Sequence, residues 1–325
     1  MHRISKKTGS ETWNSTNTQR KKGGRSTKEL DIPMQYNTNN ARRKIAVVTG
    51  SSRGIGFETS LTLAENGFTV YATMRNIDKV SNLKEGADRK NLPIEVLKLD
   101  VTDDSSVRQA IQSIRDKEDG IDVLVNNAAY TQLGSAEDLS SEEVYSQFNT
   151  NVFGIFRTIR EIVPIMRNQQ TGGTIINIGS ANGFFGVPCN SAYAATKFAL
   201  EGLTQSLRFE LAPFGIKVSI IEPGAINTDV ASYSMYIPKK IQGNDVQISP
   251  FAEMTKSILE KSKVLIKNGS SPKLVADTVL KIVNTDKPGW RYLAGADAEK
   301  LFEARTKMSD FEFEQFISEL LRNIA

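Results

Sequence analysis

The chain has 325 residues, 39% of them apolar, and a formal net charge of +4. That length buries one large core or two smaller ones. Its single cysteine, Cys189, excludes an intrachain disulfide and a cysteine-rich metal site. Its single histidine, His2, excludes Ser-His-Asp and Cys-His catalysis and any histidine-based metal site.

The charge is unevenly placed. Residues 1–44 hold eleven Lys or Arg against three Asp or Glu, a net of +8, so the remainder carries about −4. Residues 1–41 are rich in Ser, Thr, Asn, Gly and Lys and poor in large apolar side chains, which predicts a disordered basic tail. A solvated extension is the expected role; contact with nucleic acid or an anionic membrane is the alternative. The tail has no apolar stretch of the kind a secretory signal needs, and Met34 is a second candidate start. No run of eighteen apolar residues predicts a membrane span. The cysteine usage suits a reducing compartment, so a cytoplasmic location is expected.

From residue 42 onward short apolar strands alternate with helical stretches. Strands are predicted at Ile45–Thr49, Thr69–Thr73, Ile94–Lys98, Val123–Asn126, Thr174–Ile178, Lys217–Ile221 and Arg291–Leu293. Helices are predicted between them, among others at Ser105–Lys117, Glu142–Arg167 and Ala192–Leu211. This alternation implies one α/β domain over 42–325: a doubly wound, mostly parallel sheet of about seven strands with helices on both faces, a Rossmann fold. Residues 231–272 lack the rhythm and hold Tyr233, Met235, Tyr236, Ile237 and Phe251. They read as an irregular insertion covering a site.

The first strand runs into Thr49-Gly50-Ser51-Ser52-Arg53-Gly54-Ile55-Gly56. Glycines there let the backbone turn tightly against a pyrophosphate, and the following helix N-terminus offers N–H donors. Strand before and helix after make this a strong dinucleotide signal, with Gly50, Ser52, Arg53, Gly54, Ile55 and Gly56 as binding candidates. A 2′-hydroxyl is usually held by an acidic residue about twenty positions on, whereas a 2′-phosphate wants arginine. Nineteen residues after Gly56 stands Arg75, with no Asp or Glu at that strand tip. Arg53 adds a second guanidinium, so NADP(H) is expected in preference to NAD(H).

Tyr193 and Lys197 are four residues apart, with Ser180 thirteen residues upstream. A four-residue step puts tyrosine and lysine on one helix face. An adjacent ammonium favours the phenolate, so the phenol's pKa is expected to fall from about 10, fitting it for proton transfer near neutrality.

Taken together, these residues resemble the short-chain dehydrogenase/reductase family in its shorter single-domain branch, from about Arg43 to the C-terminus. Further matches carry the resemblance. Asp100-Val101 is similar to the family's adenine contact, and Asn126-Asn127-Ala128-Ala129 resembles the Asn-Asn-Ala-Gly element beside the adenosine ribose, placing Asn126 and Ala128 at the cofactor. Asn151 matches the helix asparagine. Pro223-Gly224, with Ile226 and Thr228, resembles the loop bordering the nicotinamide.

The resemblance implies Tyr193 as general acid in reduction and general base in oxidation, Lys197 lowering its pKa and bonding the nicotinamide ribose, Ser180 polarising the substrate carbonyl, and Asn151 holding a water toward Lys197. It also implies pairing through the two long helices as a homodimer or homotetramer. Phe148, Val152, Phe156 and Ile159 recur there at helical spacing and face either core or partner.

The stretches Val70–Asn76 and Arg291–Asp297 resemble the hydroxysteroid and retinol dehydrogenase side of the family. They imply an apolar small-molecule alcohol or carbonyl substrate, steroid-, retinoid- or lipid-like. Phe184, Phe185, Val187, Pro188, Tyr130, Leu133 and Tyr236 are candidates for its pocket, with Cys189 at most a wall. Two alternatives stay open: a cofactor-binding protein without turnover, and another chemistry on this scaffold such as epimerisation or dehydration.

Overall fold

The chain is described from a computed structural model over residues 42–79, 81–229, 233–242 and 249–324. The basic tail and Met34 lie outside the described residues. Seven strands form one parallel sheet: β1 (Ile45–Val48), β2 (Thr69–Met74), β3 (Ile94–Lys98), β4 (Val123–Asn126), β6 (Gly173–Ile178), β7 (Ile216–Pro223) and β9 (Arg291–Ala294). Their spatial order is β3-β2-β1-β4-β6-β7-β9. Chain direction across the sheet reverses between β1 and β4, where a doubly wound sheet opens a crevice at its strand ends.

The strands read as nearly continuous apolar runs because helices cover both faces. Side-chain alternation sorts them. Ala46, Val48, Val70, Ala72, Val123, Val125, Ile176 and Ile221 pack on one face. There they meet α1 (Gly54–Glu65), α2 (Ser81–Arg89) and a later helix, Pro272–Val283. Ile45, Val47, Tyr71, Leu124, Ile175 and Val218 pack on the other. Their partners are α3 (Asp104–Arg115), α5 (Gly154–Asn168) and α6 (Ser191–Leu211). Each fully buried aliphatic side chain is worth roughly 1.5–3 kcal/mol over its exposed state.

The long helix expected over 142–167 is α4 (Ser141–Phe148), a π-helical turn (Asn149–Phe153) and α5 in succession. Ser140 caps α4 in a reciprocal capping box with Glu143. Phe148, Val152 and Ile159 pack inward, whereas Phe156 is 45% exposed.

Part of the segment expected to be irregular is regular. β8 (Met235–Tyr236) pairs in parallel with β5 (Thr131–Gln132), and Ala252–Lys267 is a helix, here α7. Its apolar residues fall at mixed three- and four-residue steps and leave Met254, Val264 and Leu265 exposed, so the stripe is diffuse in sequence. Pro272–Val283 is α8, Ala296–Lys307 is α9 and Asp310–Ile324 is α10. α10 packs Phe313 and Ile317 onto Ala304, with Phe185 beside them. Among the described residues no helix is long and apolar enough to cross a membrane.

Candidate active site

The glycine turn is built against the end of β4. Gly50 and Gly54 have φ of +69° and +58°, the left-handed region where side chains are strained. Asn127 donates from Nδ2 to the carbonyls of Thr49 (2.8 Å) and Gly50 (3.1 Å). The Thr49 hydroxyl oxygen accepts from the N–H groups of Asn127 (2.9 Å) and Ala128 (3.0 Å). A Cβ on Gly56 would meet Asn127 Nδ2 at 2.5 Å and the Gly50 carbonyl at 2.6 Å. The turn is therefore pressed onto β4, and α1 starts at Gly54 with no side-chain cap and no acid in its first turn. Free N–H donors, the helix dipole and glycine backbone make a cradle that fits a pyrophosphate.

Beside the cradle, Ser52, Arg53, Arg75 and Asn76 line a recess of about 360 Å³ with Tyr233, Ser234 and Tyr236. The Arg53 guanidinium lies 4.0 Å over the Tyr233 ring. No carboxylate among the described residues pairs with Arg53 or Arg75.

Asp100 and Val101 line the main cavity. Asp100 Oδ1 accepts from the Thr102 N–H (2.9 Å) and hydroxyl (2.7 Å), which fixes the carboxylate. Gly50, Ser52, Arg53, Gly54, Ile55, Arg75, Ala128, Pro223, Gly224, Ile226 and Thr228 line the same cavity.

Two cofactor candidates do not reach it. Gly56 is buried in the packing of turn on strand. Asn126 is buried in a polar chain: its Nδ2 donates to Asn177 Oδ1 (2.9 Å), and the Thr158 hydroxyl donates to its Oδ1 (2.7 Å). Strand alternation turns residue 126 inward, and its neighbours Asn127 and Ala128 line the cavity instead.

At the other end Ser180, Tyr193 and Lys197 converge on the cavity. Ser180 leaves β6 in extended conformation (φ −173°). Tyr193 and Lys197 project from α6, and the ammonium lies 5.5 Å from the phenol ring centroid. Lys197 Nζ donates to the Ile178 carbonyl at 2.9 Å. Burial pulls its pKa down to about 8, opposed by the Glu222 carboxylate.

The Tyr193 phenol departs from expectation. Burial holds its pKa above the ordinary value, against hydrogen bonds from the Ser180 and Thr131 hydroxyls that lower it. The Lys197 ammonium is engaged with the Ile178 carbonyl. Thr131 was not legible in the sequence. It reaches Tyr193 because β5 pairs with β8, the Thr131 N–H donating to the Ser234 carbonyl at 2.8 Å.

Asn151 sits in the π-helical turn and is buried, away from the cavity surface. Its side chain exchanges bonds with the backbone of Tyr130, accepting its N–H at 3.1 Å and donating to its carbonyl at 3.0 Å, and it also donates to Thr196. The side chain thus fastens the Tyr130–Thr131 backbone, with its Nδ2 donating to Tyr130 and Thr196.

The cavity has a volume of about 1890 Å³ and runs from the glycine turn past Tyr193 to α7, α9 and α10. Tyr130, Leu133, Phe185, Val187, Pro188 and Tyr236 line it as expected. Phe184 does not; it packs edge-on against Phe302, ring centroids 5.2 Å apart. Cys189 is buried behind the wall at φ +54° and accepts from the Gly134 N–H at 2.7 Å. Beyond the expected set, Met254, Ile258, Leu265, Leu301, Phe316 and Leu320 extend the apolar lining.

Comparison with known proteins agrees with this geometry. Residues 44–235 match the family model described as short chain dehydrogenase. The chain is 35% identical to a 3-ketodihydrosphingosine reductase from Bacteroides thetaiotaomicron, covering 80% of this chain and 90% of the relative. It is 34% identical to human 17-beta-hydroxysteroid dehydrogenase type 1, covering 77% of each. The crystal structure of a short-chain dehydrogenase from Streptomyces avermitilis superimposes with a TM-score of 0.70 at 28% identity, covering 88% of this chain and 96% of that one. Motifs, fold and these likenesses agree: the chain belongs to the short-chain dehydrogenase/reductase family of oxidoreductases.

Proposed function

We propose that the protein is an NADP(H)-dependent oxidoreductase that interconverts an apolar alcohol and its ketone or aldehyde, with residues 42–325 as one catalytic domain. One observation carries the reading. The Tyr193 phenol, hydrogen bonded to Ser180, opens into the same cavity as the glycine turn and its two arginines.

The nicotinamide, when bound, supplies or accepts the hydride. Gly50, Gly54 and the N-terminus of α1 would hold the pyrophosphate, and Arg53 and Arg75 the 2′-phosphate. In reduction Tyr193 gives its phenolic proton to the substrate oxygen. A phenol held above its ordinary pKa keeps its proton at neutral pH, which suits it to the acid role in reduction. Ser180 donates to the same oxygen as negative charge gathers there. Lys197, an ammonium below about pH 8, supplies positive charge beside the phenolate that forms. Asn151 acts at one remove, by fixing the backbone that carries Thr131.

The substrate class rests on the apolar lining and on the likeness to a 3-ketodihydrosphingosine reductase and a 17-beta-hydroxysteroid dehydrogenase. A homodimer or homotetramer through the α4–α5 and α6 faces is supported by Phe156, Phe198 and Phe209, which stand 45%, 48% and 79% exposed. The test is NADPH oxidation with a panel of apolar ketones and aldehydes, beside NADH. Turnover that Tyr193→Phe abolishes supports the reading; cofactor binding without turnover on any carbonyl sinks it.

A further inference from the structure

Behind the catalytic lysine lies a buried charge cluster that the chemistry above does not use. Glu201 is one helical turn beyond Lys197 on α6, and only 6% exposed. Glu222, on β7 just before Pro223, is fully buried. Arg291 reaches both from β9. Its Nη2 donates to Glu201 Oε2, and its Nε lies 3.0 Å from Glu222 Oε2. Its guanidinium is stacked 4.0 Å from the Trp290 ring and 4.7 Å from Phe302, which confines it to this position. Glu222 Oε1 faces the turn after Ser180: a Cβ on Gly183 would come within 2.7 Å of that oxygen and 3.3 Å of the Lys197 carbonyl.

The count of charges does not close with both carboxyls ionised. Two carboxylates, both out of water, share one guanidinium, and neither Glu222 oxygen receives a well-directed hydrogen bond. An uncompensated buried carboxylate is costly enough that it takes up a proton instead. A proton between the two carboxyls satisfies both, and the one remaining negative charge matches Arg291.

We propose that Glu201 and Glu222 share one proton, so that Glu222 is neutral while Lys197 titrates and the ammonium has no carboxylate counter-charge behind it. Glu222 is thereby a positioning residue for the reaction, acting on Tyr193 and the substrate through Lys197. This rests on the function proposed above. The proton leaves to water, and no other bond changes. The charged and titratable groups facing Lys197 and Glu222 are Tyr193 and Glu201 on α6, Glu222 itself on β7 and Arg291 on β9. Asp297, at the start of α9, is spent on the Ala225 N–H at 2.7 Å. Burial and Glu201 push the Glu222 pKa up to about 9, the direction a shared proton requires.

The two carboxyls make different predictions. Glu222→Gln is the isostere of the protonated form, so it leaves Lys197 facing the same neutral group. The alkaline limb of the kcat profile should stay in place. Glu201→Gln removes the like charge that keeps Glu222 protonated, so the limb should move up. A role in packing alone would lower kcat at every pH without moving the limb.

The infrared carbonyl band of a buried protonated carboxyl, followed in the full-length wild-type chain without substrate, needs no turnover and no variant. It should be present at pH 7, fade toward pH 9 to 10, and be absent in Glu222→Gln. Absence of that band from wild type at pH 7 overturns the proposal, as does a Glu201→Gln limb superimposable on that of wild type. The infrared result stands even where the dehydrogenase assignment of the site fails, which separates the two failures.

Discussion

The ammonium of Lys197 donates to the carbonyl of Ile178 at 2.9 Å, tying helix α6 to the last residue of strand β6, two positions before Ser180. This bond sets the spacing between the catalytic helix and the strand that delivers the serine. It also means that the lysine serves the backbone as well as the tyrosine. Lys197→Ala should therefore lower thermal stability as well as activity, by about 1–3 kcal/mol for the buried carbonyl left without a donor. Lys197→Arg keeps a charge but replaces a compact ammonium with a planar guanidinium of different reach, so it should restore little activity. Thermal melts beside steady-state rates check this; an alanine variant that is inactive yet melts with wild type would show the bond to be idle.

Tyr193→Phe keeps the ring and removes the proton. It should fold, bind NADPH near wild-type affinity and lose turnover by at least a hundredfold, the usual share of a positioned acid. Thr131→Val removes one of the two hydroxyls on the phenol, so the phenol pKa should rise further while the fold holds. The effect should appear in the oxidation direction, where Tyr193 must accept a proton, more than in reduction. Equal loss in both directions would count against a Thr131 effect on the phenol.

The strands and the turn at Thr49–Gly56 were legible because each depends on residues close in sequence. Every predicted strand lies within two residues of its observed bounds, since a parallel sheet covered on both faces writes itself as apolar runs. What was not legible depends on distant pairing. Thr131 meets Tyr193 only because β8 returns from the 231–272 segment to pair with β5. Asn126 and Asn127 look equivalent in the motif, and strand alternation, whose phase is fixed by the fold, decides which one faces the cofactor cleft. The π-helical turn at Asn149–Phe153 leaves no mark in the apolar period, yet it places Asn151. Helical spacing gives the lysine's proximity to the tyrosine but not its engagement with Ile178, nor the burial of both groups that raises the phenol's pKa.

Cofactor choice is tested at Arg75. It stands exposed beside the recess that also holds Arg53, with no carboxylate partner among the described residues. A charge-assisted bond is worth about 1.5–3 kcal/mol, so Arg75→Ala should raise the KM for NADPH roughly tenfold or more and leave NADH little changed. Wild type that uses both cofactors equally would remove the basis for the preference.

Gly56→Ala tests the cradle itself. The added methyl would lie 2.5 Å from Asn127 Nδ2 and 2.6 Å from the Gly50 carbonyl, with backbone on one side and a bonded side chain on the other. Overpacking of this kind costs about 1–3 kcal/mol. NADPH affinity should fall with stability, and Gly86→Ala, whose methyl would meet only Leu61 at 3.6 Å, should leave both near wild type. Unchanged NADPH affinity in Gly56→Ala would mean that the turn does not carry the pyrophosphate.

The buried pair also fixes how stability depends on pH. Glu222 keeps its proton to about pH 9 in the folded chain, against an ordinary value of 4.5. The folded state then binds more protons than the unfolded one between those values, so its contribution is complete below about pH 4.5 and is lost as pH rises toward 9. Lys197 has the opposite sign. Its folded pKa of about 8 lies below the ordinary 10.5, so between those values the unfolded chain binds the extra proton and stability rises with pH. Wild type should therefore lose melting temperature from pH 5 to pH 8 and flatten above it. Glu222→Gln removes the first contribution and keeps the second, so its melting temperature should fall less over pH 5 to 8 and rise above that. Parallel curves for the two proteins across the whole range would show that Glu222 does not titrate with folding.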